Sequence, residues 1–219
     1  DEDAFIDKAQ MHTDCMLSTI HPDTSGLDLS CGPSNAEFEV ERGDWTQIVV
    51  DGDKWGTLCG DESAYAFYVK WAPEGEPLDN LLIGLQGGGV CVFEGDCSAK
   101  MENSPDLFTA LDEVPFEIGI SSADPEVSPF AKWTKVYLPY CTQDVFAGGG
   151  VIEELGSISL PRYGAVNARA ALNMVRDTLW KKKDEEGGMG YRPDQMNVFI
   201  GGWSAGAYGT LYNYHYVLD

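Results

Sequence analysis

N-V-F-I-G-G-W-S-A-G-A-Y-G (residues 197–209) is the stretch that decides the fold. Asn197 to Ile200 is a short apolar run that reads as a buried strand, and Ala207 to Val217 is apolar and aromatic at helical spacing. Between them, Gly202, Ser204 and Gly206 make the G-x-S-x-G pattern of a nucleophile elbow, a sharp strand-to-helix turn that lifts a serine hydroxyl to the C-terminal edge of a sheet. The glycines follow from sterics: a Cβ at Gly202 or Gly206 is expected to collide with the neighbouring strand or helix. The pattern by itself arises often by chance, and the strand before it and helix after it are what make it specific.

Working outward, L-L-I-G-L (81–85) is a continuous apolar run bounded by Asp79-Asn80 and by Gly87-Gly88-Gly89, the signature of a strand buried on both faces. Lys135 to Pro139 repeats the theme. Between that strand and the elbow strand, a helix is predicted from about Tyr163 to Lys183, with Val166, Ala170, Met174 and Val175 on one stripe. Lys181, Lys182 and Lys183 close it where cations suit the helix dipole, and Gly187-Gly188 follow. Strand, helix, strand in this order gives a right-handed crossover and an α/β sheet. Nearer the N-terminus, Trp45 to Val50 and Ala64 to Trp71 read as strands, with D-G-D (51–53) as a hairpin turn; the rest of a calcium-binding loop is missing around it.

A serine elbow needs an oxyanion hole, built from the backbone N–H after the serine, here Ala205, and donors from a loop after an earlier strand. Gln86-Gly87-Gly88-Gly89 follows such a strand, and its glycines let backbone N–H groups approach a substrate closely. No Gly-Lys-Ser/Thr follows, so this is not a Walker loop.

Four separated blocks, 81–97, 133–148, 162–172 and 198–209, resemble the pectin acetylesterase and Notum family of secreted serine carboxylesterases, in the right order over about residues 57–217. The resemblance implies an α/β-hydrolase-like, mostly parallel sheet with helices on both faces. It implies Ser204 as nucleophile and Gly88, Gly89 and Ala205 as oxyanion donors, with no metal and no organic cofactor. It also implies a disulfide between Cys91 and Cys97, which the spacing supports independently: C-V-F-E-G-D-C closes a short loop around the turn-prone pair Gly95-Asp96. Trp203, beside the serine, is expected to pack in the core.

The family places its Asp and His well beyond the elbow helix, whereas this sequence ends at Asp219. Only His12, His21 and His215 are present, and His215 lies eleven residues after Ser204 on one helix, ~16 Å away. The expected fold is therefore incomplete in this chain. Three explanations stay open: a mature protein cleaved after the elbow helix, a longer chain of which this is part, or a non-catalytic relative with a structural or binding role. In the first two, a companion segment carries the acid and base and pairs the open sheet edge.

The chain has 219 residues and a formal net charge of −22 from 36 acidic and 14 basic side chains. Such a surface repels nucleic acid and anionic membranes, and no apolar run reaches the ~20 residues of a membrane helix. With 43% apolar and 11% aromatic residues the chain is nonetheless a folding sequence. Residues 1–43 read as a loop-rich arm, stapled by cysteines, and residues 44–219 as the N-terminal portion of the hydrolase domain. Six cysteines without a C-x-x-C pair favour disulfides and hence an extracellular protein whose signal peptide is already removed. The pairing of Cys15, Cys31, Cys59 and Cys141 is left open, Cys141 being a candidate to bond into the companion segment. The charge also ranks substrates: neutral or apolar esters above polyanionic pectin. Homo-oligomerisation is left open.

Overall fold

A strand with apolar side chains on both faces, Leu81 to Leu85, sets the centre of the molecule. The computed structural model describes residues 38, 41–111, 113, 115, 117–182, 188–192 and 195–218. His12, His21, Cys15, Cys31, Lys183 and Gly187 lie outside the described residues, as does nearly all of the predicted arm. The elements are β1 (Trp45–Val49), α1 (Gly52–Trp55), β2 (Ala66–Lys70), β3 (Asn80–Leu85), α2 (Glu94–Asn103), β4 (Thr134–Leu138), β5 (Val151–Leu155), β6 (Ile158–Arg162), α3 (Gly164–Lys181), β7 (Asn197–Gly202) and α4 (Ala205–Leu218).

The main sheet has the order β1-β2-β4-β3-β7. It is mixed: β4, β3 and β7 run parallel, while β1 and β2 join antiparallel on the β4 side. Leu81, Leu82, Ile83 and Leu85 of β3 are all buried, as a continuous apolar strand between two parallel neighbours requires. Leu81, Ile83 and Leu85 share one core with Val136 and Leu138 of β4 and with Ala168, Ala170, Ala171, Met174, Val175 and Leu179 of α3. All four residues of the predicted helical stripe are buried. Alanines on α3 let it lie close to the sheet. Among the described residues β7 is an edge strand, and Phe199 on it is 42% exposed.

Three expectations change. D-G-D is not a hairpin turn: the Asp51 carboxylate accepts from the Lys54 N–H at 3.1 Å and caps α1, which ends on left-handed Gly56. Asp and Gly favour helix caps as strongly as they favour turns, so β1 and β2 pair through a longer connection. Cys141 bonds not into another segment but to Cys59, with Cα atoms 5.2 Å apart. The Gly60 N–H donates to the Cys141 carbonyl at 2.8 Å and sets the two cysteines side by side. Cys91 and Cys97 are bonded as expected, yet Gly95 and Asp96 lie in the first turn of α2 rather than in a turn. The antiparallel hairpin β5–β6 is an addition that no sequence pattern announces.

Candidate active site

Parallel pairing of β3 with β7 sets Leu85 opposite Gly202. The chain leaving β3 through Gln86–Gly89 and the chain leaving β7 through Trp203–Ala205 therefore emerge together at the C-terminal sheet edge, where α/β sheets bind ligands. The contact is direct: a Cβ on Gly87 would lie 2.7 Å from the Trp203 carbonyl oxygen and 2.7 Å from its indole Cδ1.

Ser204 sits at the apex with φ 54°, a left-handed backbone that residues with a side chain disfavour. The Gly206 N–H donates to the Trp203 carbonyl and the Ala207 N–H to the Ser204 carbonyl, both at 3.0 Å, so the turn winds at once into α4. A Cβ at Gly202 would strike the Gly206 backbone, and one at Gly206 would strike the Leu85 carbonyl. Ala205, first residue of α4, is buried. Among the described residues no carbonyl accepts from the N–H of Gly88, Gly89 or Ala205.

Trp203 departs from its expected core position. Its indole is 45% exposed, stacks on Tyr137 at 6.5 Å and lies close over Gly87, where a Cβ would collide with it. His215 is the one histidine among the described residues. It lies three helical turns beyond Ser204, edge-on to Tyr214, and is not brought to the elbow.

Several residues that the sequence did not single out hold the site. The Gln86 Oε1 accepts from the Tyr140 N–H at 2.7 Å while its Nε2 donates to Glu113 at 2.6 Å. Burial is the main influence on Glu113 and pushes its carboxyl above the usual range. Arg162 donates to the carbonyls of Thr142, Gln143 and Cys91 at 3.2, 2.9 and 3.0 Å, tying the disulfide loop to the turn after β4. That turn holds Gln143, Val145 and Phe146 at positive φ. Asp144 stabilises it by accepting from Thr142, Phe146 and Gly164, the last at 2.8 Å at the N-terminus of α3. Burial outweighs these hydrogen bonds and raises the Asp144 carboxyl. Each partner is 20 or more residues away from the other in Gln86–Glu113 and Asp144–Gly164, so no local pattern advertised them.

An apolar cavity of about 510 Å³ borders the elbow, lined by Leu82, Gly84, Ile118, Ile120, Gly201 and Trp203. Gly84 and Gly201 are paired across β3 and β7 and leave its floor open. Among the described residues no group of His, Cys, Asp and Glu is disposed to hold a metal, and no helix is long and apolar enough to cross a membrane.

Similarities to known proteins agree with this geometry. The pectinacetylesterase family model matches residues 40–219. The chain is 26% identical over 166 residues to palmitoleoyl-protein carboxylesterase notum1 of Xenopus laevis, covering 74% of this chain and 30% of that protein. It is 27% identical over 160 residues to human palmitoleoyl-protein carboxylesterase NOTUM, covering 71% and 28%. It is 30% identical over 115 residues to pectin acetylesterase 4 of Arabidopsis thaliana, covering 50% and 27%. The chain thus spans less than a third of the length of these relatives. The crystal structure of the Wnt deacylase Notum from Drosophila superposes with TM-score 0.62 at 23% identity, over 74% of this chain and 44% of that one. At that identity the likeness is one of fold, the α/β-hydrolase fold.

Proposed function

Since the chain belongs to the pectinacetylesterase family, we propose that it forms the nucleophile-bearing part of a secreted serine carboxylesterase. The observation that carries the reading is the left-handed Ser204 on a strand-to-helix turn, packed against a glycine loop with uncommitted N–H groups. Ser204 Oγ attacks the ester carbonyl and gives up its proton to a general base. The N–H groups of Gly88, Gly89 and Ala205 hold the oxyanion of the tetrahedral adduct. The carbonyl re-forms, the alcohol leaves with the proton returned by the base, and water then hydrolyses the acyl-serine to free acid and serine. No metal or organic cofactor enters these steps.

The base and its orienting acid come, in this reading, from a companion segment. Support comes from the distance of ~16 Å along α4 to His215 and from the exposure of Tyr208, Leu211 and Tyr212 on α4 and Phe199 on β7. Secretion is supported by two buried disulfides. The substrates favoured are neutral or apolar esters, since −22 charges repel a polyanion. A second reading, a hydrolase fold without catalysis, has one observation in its favour. The chain is 26% identical over 93 residues to a zebrafish protein described as an inactive palmitoleoyl-protein carboxylesterase, notum1b. Fluorophosphonate labelling of the intact native protein separates the two. An adduct on Ser204 is expected; its absence would leave only the inactive reading.

A further inference from the structure

Helix α2 begins inside the disulfide loop and runs back beneath the glycine loop, where it delivers Lys100. The Lys100 ammonium donates to the carbonyl oxygen of Gly88. It also occupies the space that a side chain at position 89 would need: a Cβ there would lie 2.9 Å from Nζ, and the Gly89 backbone is left-handed at φ 74°. No peptide bond among the described residues is cis. In a trans peptide the C=O and N–H point in opposite directions. A Gly88 carbonyl aimed at Lys100 therefore turns the Gly89 N–H away from it.

We propose that Lys100 is a positioning residue that locks the Gly88–Gly89 peptide with its N–H turned outward as an oxyanion donor and polarises that peptide with its charge. The proposal rests on reading Ser204 as an esterase nucleophile. The rest of the loop is already held. A Cβ on Gly88 would lie 2.9 Å from the Tyr140 ring, Arg162 binds the Cys91 carbonyl, and the Cys91–Cys97 bond closes the far side. Rotation of one glycine peptide is the freedom left, and glycines at both ends make that rotation easy. An ammonium is suited to stopping it because hydrogen bonds to charged donors are the stronger kind, and a polarised carbonyl makes its own N–H a better donor.

The charge on Lys100 is itself conditional. Burial lowers its pKa from the ordinary lysine value and outweighs Asp96, one turn earlier on α2, which raises it. Both Asp96 oxygens are engaged with the N–H groups of Val92 and Phe93. The glycine loop packed on Lys100 carries no titratable side chain, and the Pro105–Phe108 turn packed on α2 carries Asp106 alone. The β5–β6 hairpin, which meets α2 at Glu94 and Cys97, carries Glu153, Glu154 and Arg162, of which Arg162 is paired with Glu153. The ammonium is therefore lost, as pH rises, at a lower pH than that of a free lysine.

The test compares the natural full-length protein with Lys100→Met and Lys100→Arg, measuring Ser204 labelling rate and p-nitrophenyl acetate hydrolysis from pH 6 to 11, with circular dichroism as the folding check. Lys100→Met should lower kcat and labelling roughly 10- to 100-fold, with KM changed by less than about 2-fold. The wild-type rate should fall on the alkaline side; that fall should vanish in Lys100→Met and move to higher pH in Lys100→Arg, which keeps its charge. A folded Lys100→Met protein that labels at the wild-type rate, or that loses rate while keeping the alkaline fall, overturns the proposal. If Lys100→Met does not fold, an alkaline fall left unmoved by Lys100→Arg overturns it instead. No adduct in the wild-type protein overturns the esterase reading and this role together, an outcome distinct from a labelled wild type with an indifferent lysine.

Discussion

Ser204 carries a conformational cost that Gly202 and Gly206, neither of which has a positive φ, do not share. A left-handed backbone costs a residue with a Cβ about 1–2 kcal/mol, and the serine at φ 54° bears it in the folded state. Its removal should therefore be visible in stability as well as in activity. Ser204→Ala keeps the strain and Ser204→Gly relieves it, so the glycine variant should be about 1 kcal/mol more stable than the alanine variant in a denaturant titration, with both unlabelled by fluorophosphonate. Equal stability of the two would show that the Ser204 backbone carries no left-handed strain. At this scale the sequence was legible wherever the constraint is local. Gly202 and Gly206 bracket Ser204 within five residues, and the steric reason is the same on paper and in space. Gln86–Glu113 and Lys100–Gly88 were not legible, because a glutamine or lysine in a polar stretch reads as solvated surface until the fold brings its partner.

Strands and helices divide in the same way. β3, β4 and β7 and the long helix α3 declared themselves through apolar runs and a helical stripe, and their observed bounds differ from the predicted ones by a few residues at most. α1 and α2 stayed hidden because Asp-Gly and Gly-Asp pairs serve helix starts as well as turns. The β5–β6 hairpin stayed hidden because Val151, Ile152, Glu153 and Glu154 are all exposed regardless of polarity, so no alternation marks it. The two disulfides act on these elements unequally. Cys59–Cys141 closes a loop of 82 residues and Cys91–Cys97 one of six. Loop-closure entropy assigns ~4–5 kcal/mol to the first and ~2 kcal/mol to the second as upper figures. Cys59→Ala/Cys141→Ala should accordingly lower the unfolding midpoint more than Cys91→Ala/Cys97→Ala. The second pair should instead slow Ser204 labelling more, since it frees the end of the glycine loop; the opposite ranking in both assays would refute this division.

For the molecule as a whole, charge is the strongest influence outside the core. With 36 acidic against 14 basic side chains, self-repulsion reaches across the surface when the Debye length is ~30 Å in 10 mM salt and shrinks to ~8 Å at physiological ionic strength. Thermal stability should rise with added sodium chloride over this range, and a melting temperature indifferent to salt would show that self-repulsion of the acidic surface does not limit stability. The family and the α/β-hydrolase fold, read from four sequence blocks, both hold. The amino-acid sequence by itself determined what local patterns can carry: buried strands, a stapled loop, a serine on a forced turn, and a strongly anionic surface. Tertiary structure alone decided how these meet. Parallel pairing of β3 with β7 sets a glycine loop against the elbow, Cys59 finds Cys141, Trp203 lies half in solvent against Gly87, and Lys100 reaches Gly88. The physical reason is distance along the chain. Sterics and periodicity act between neighbours and are written in order, whereas hydrogen bonds and ion contacts between remote residues exist only once burial of the core has fixed which loops share an edge.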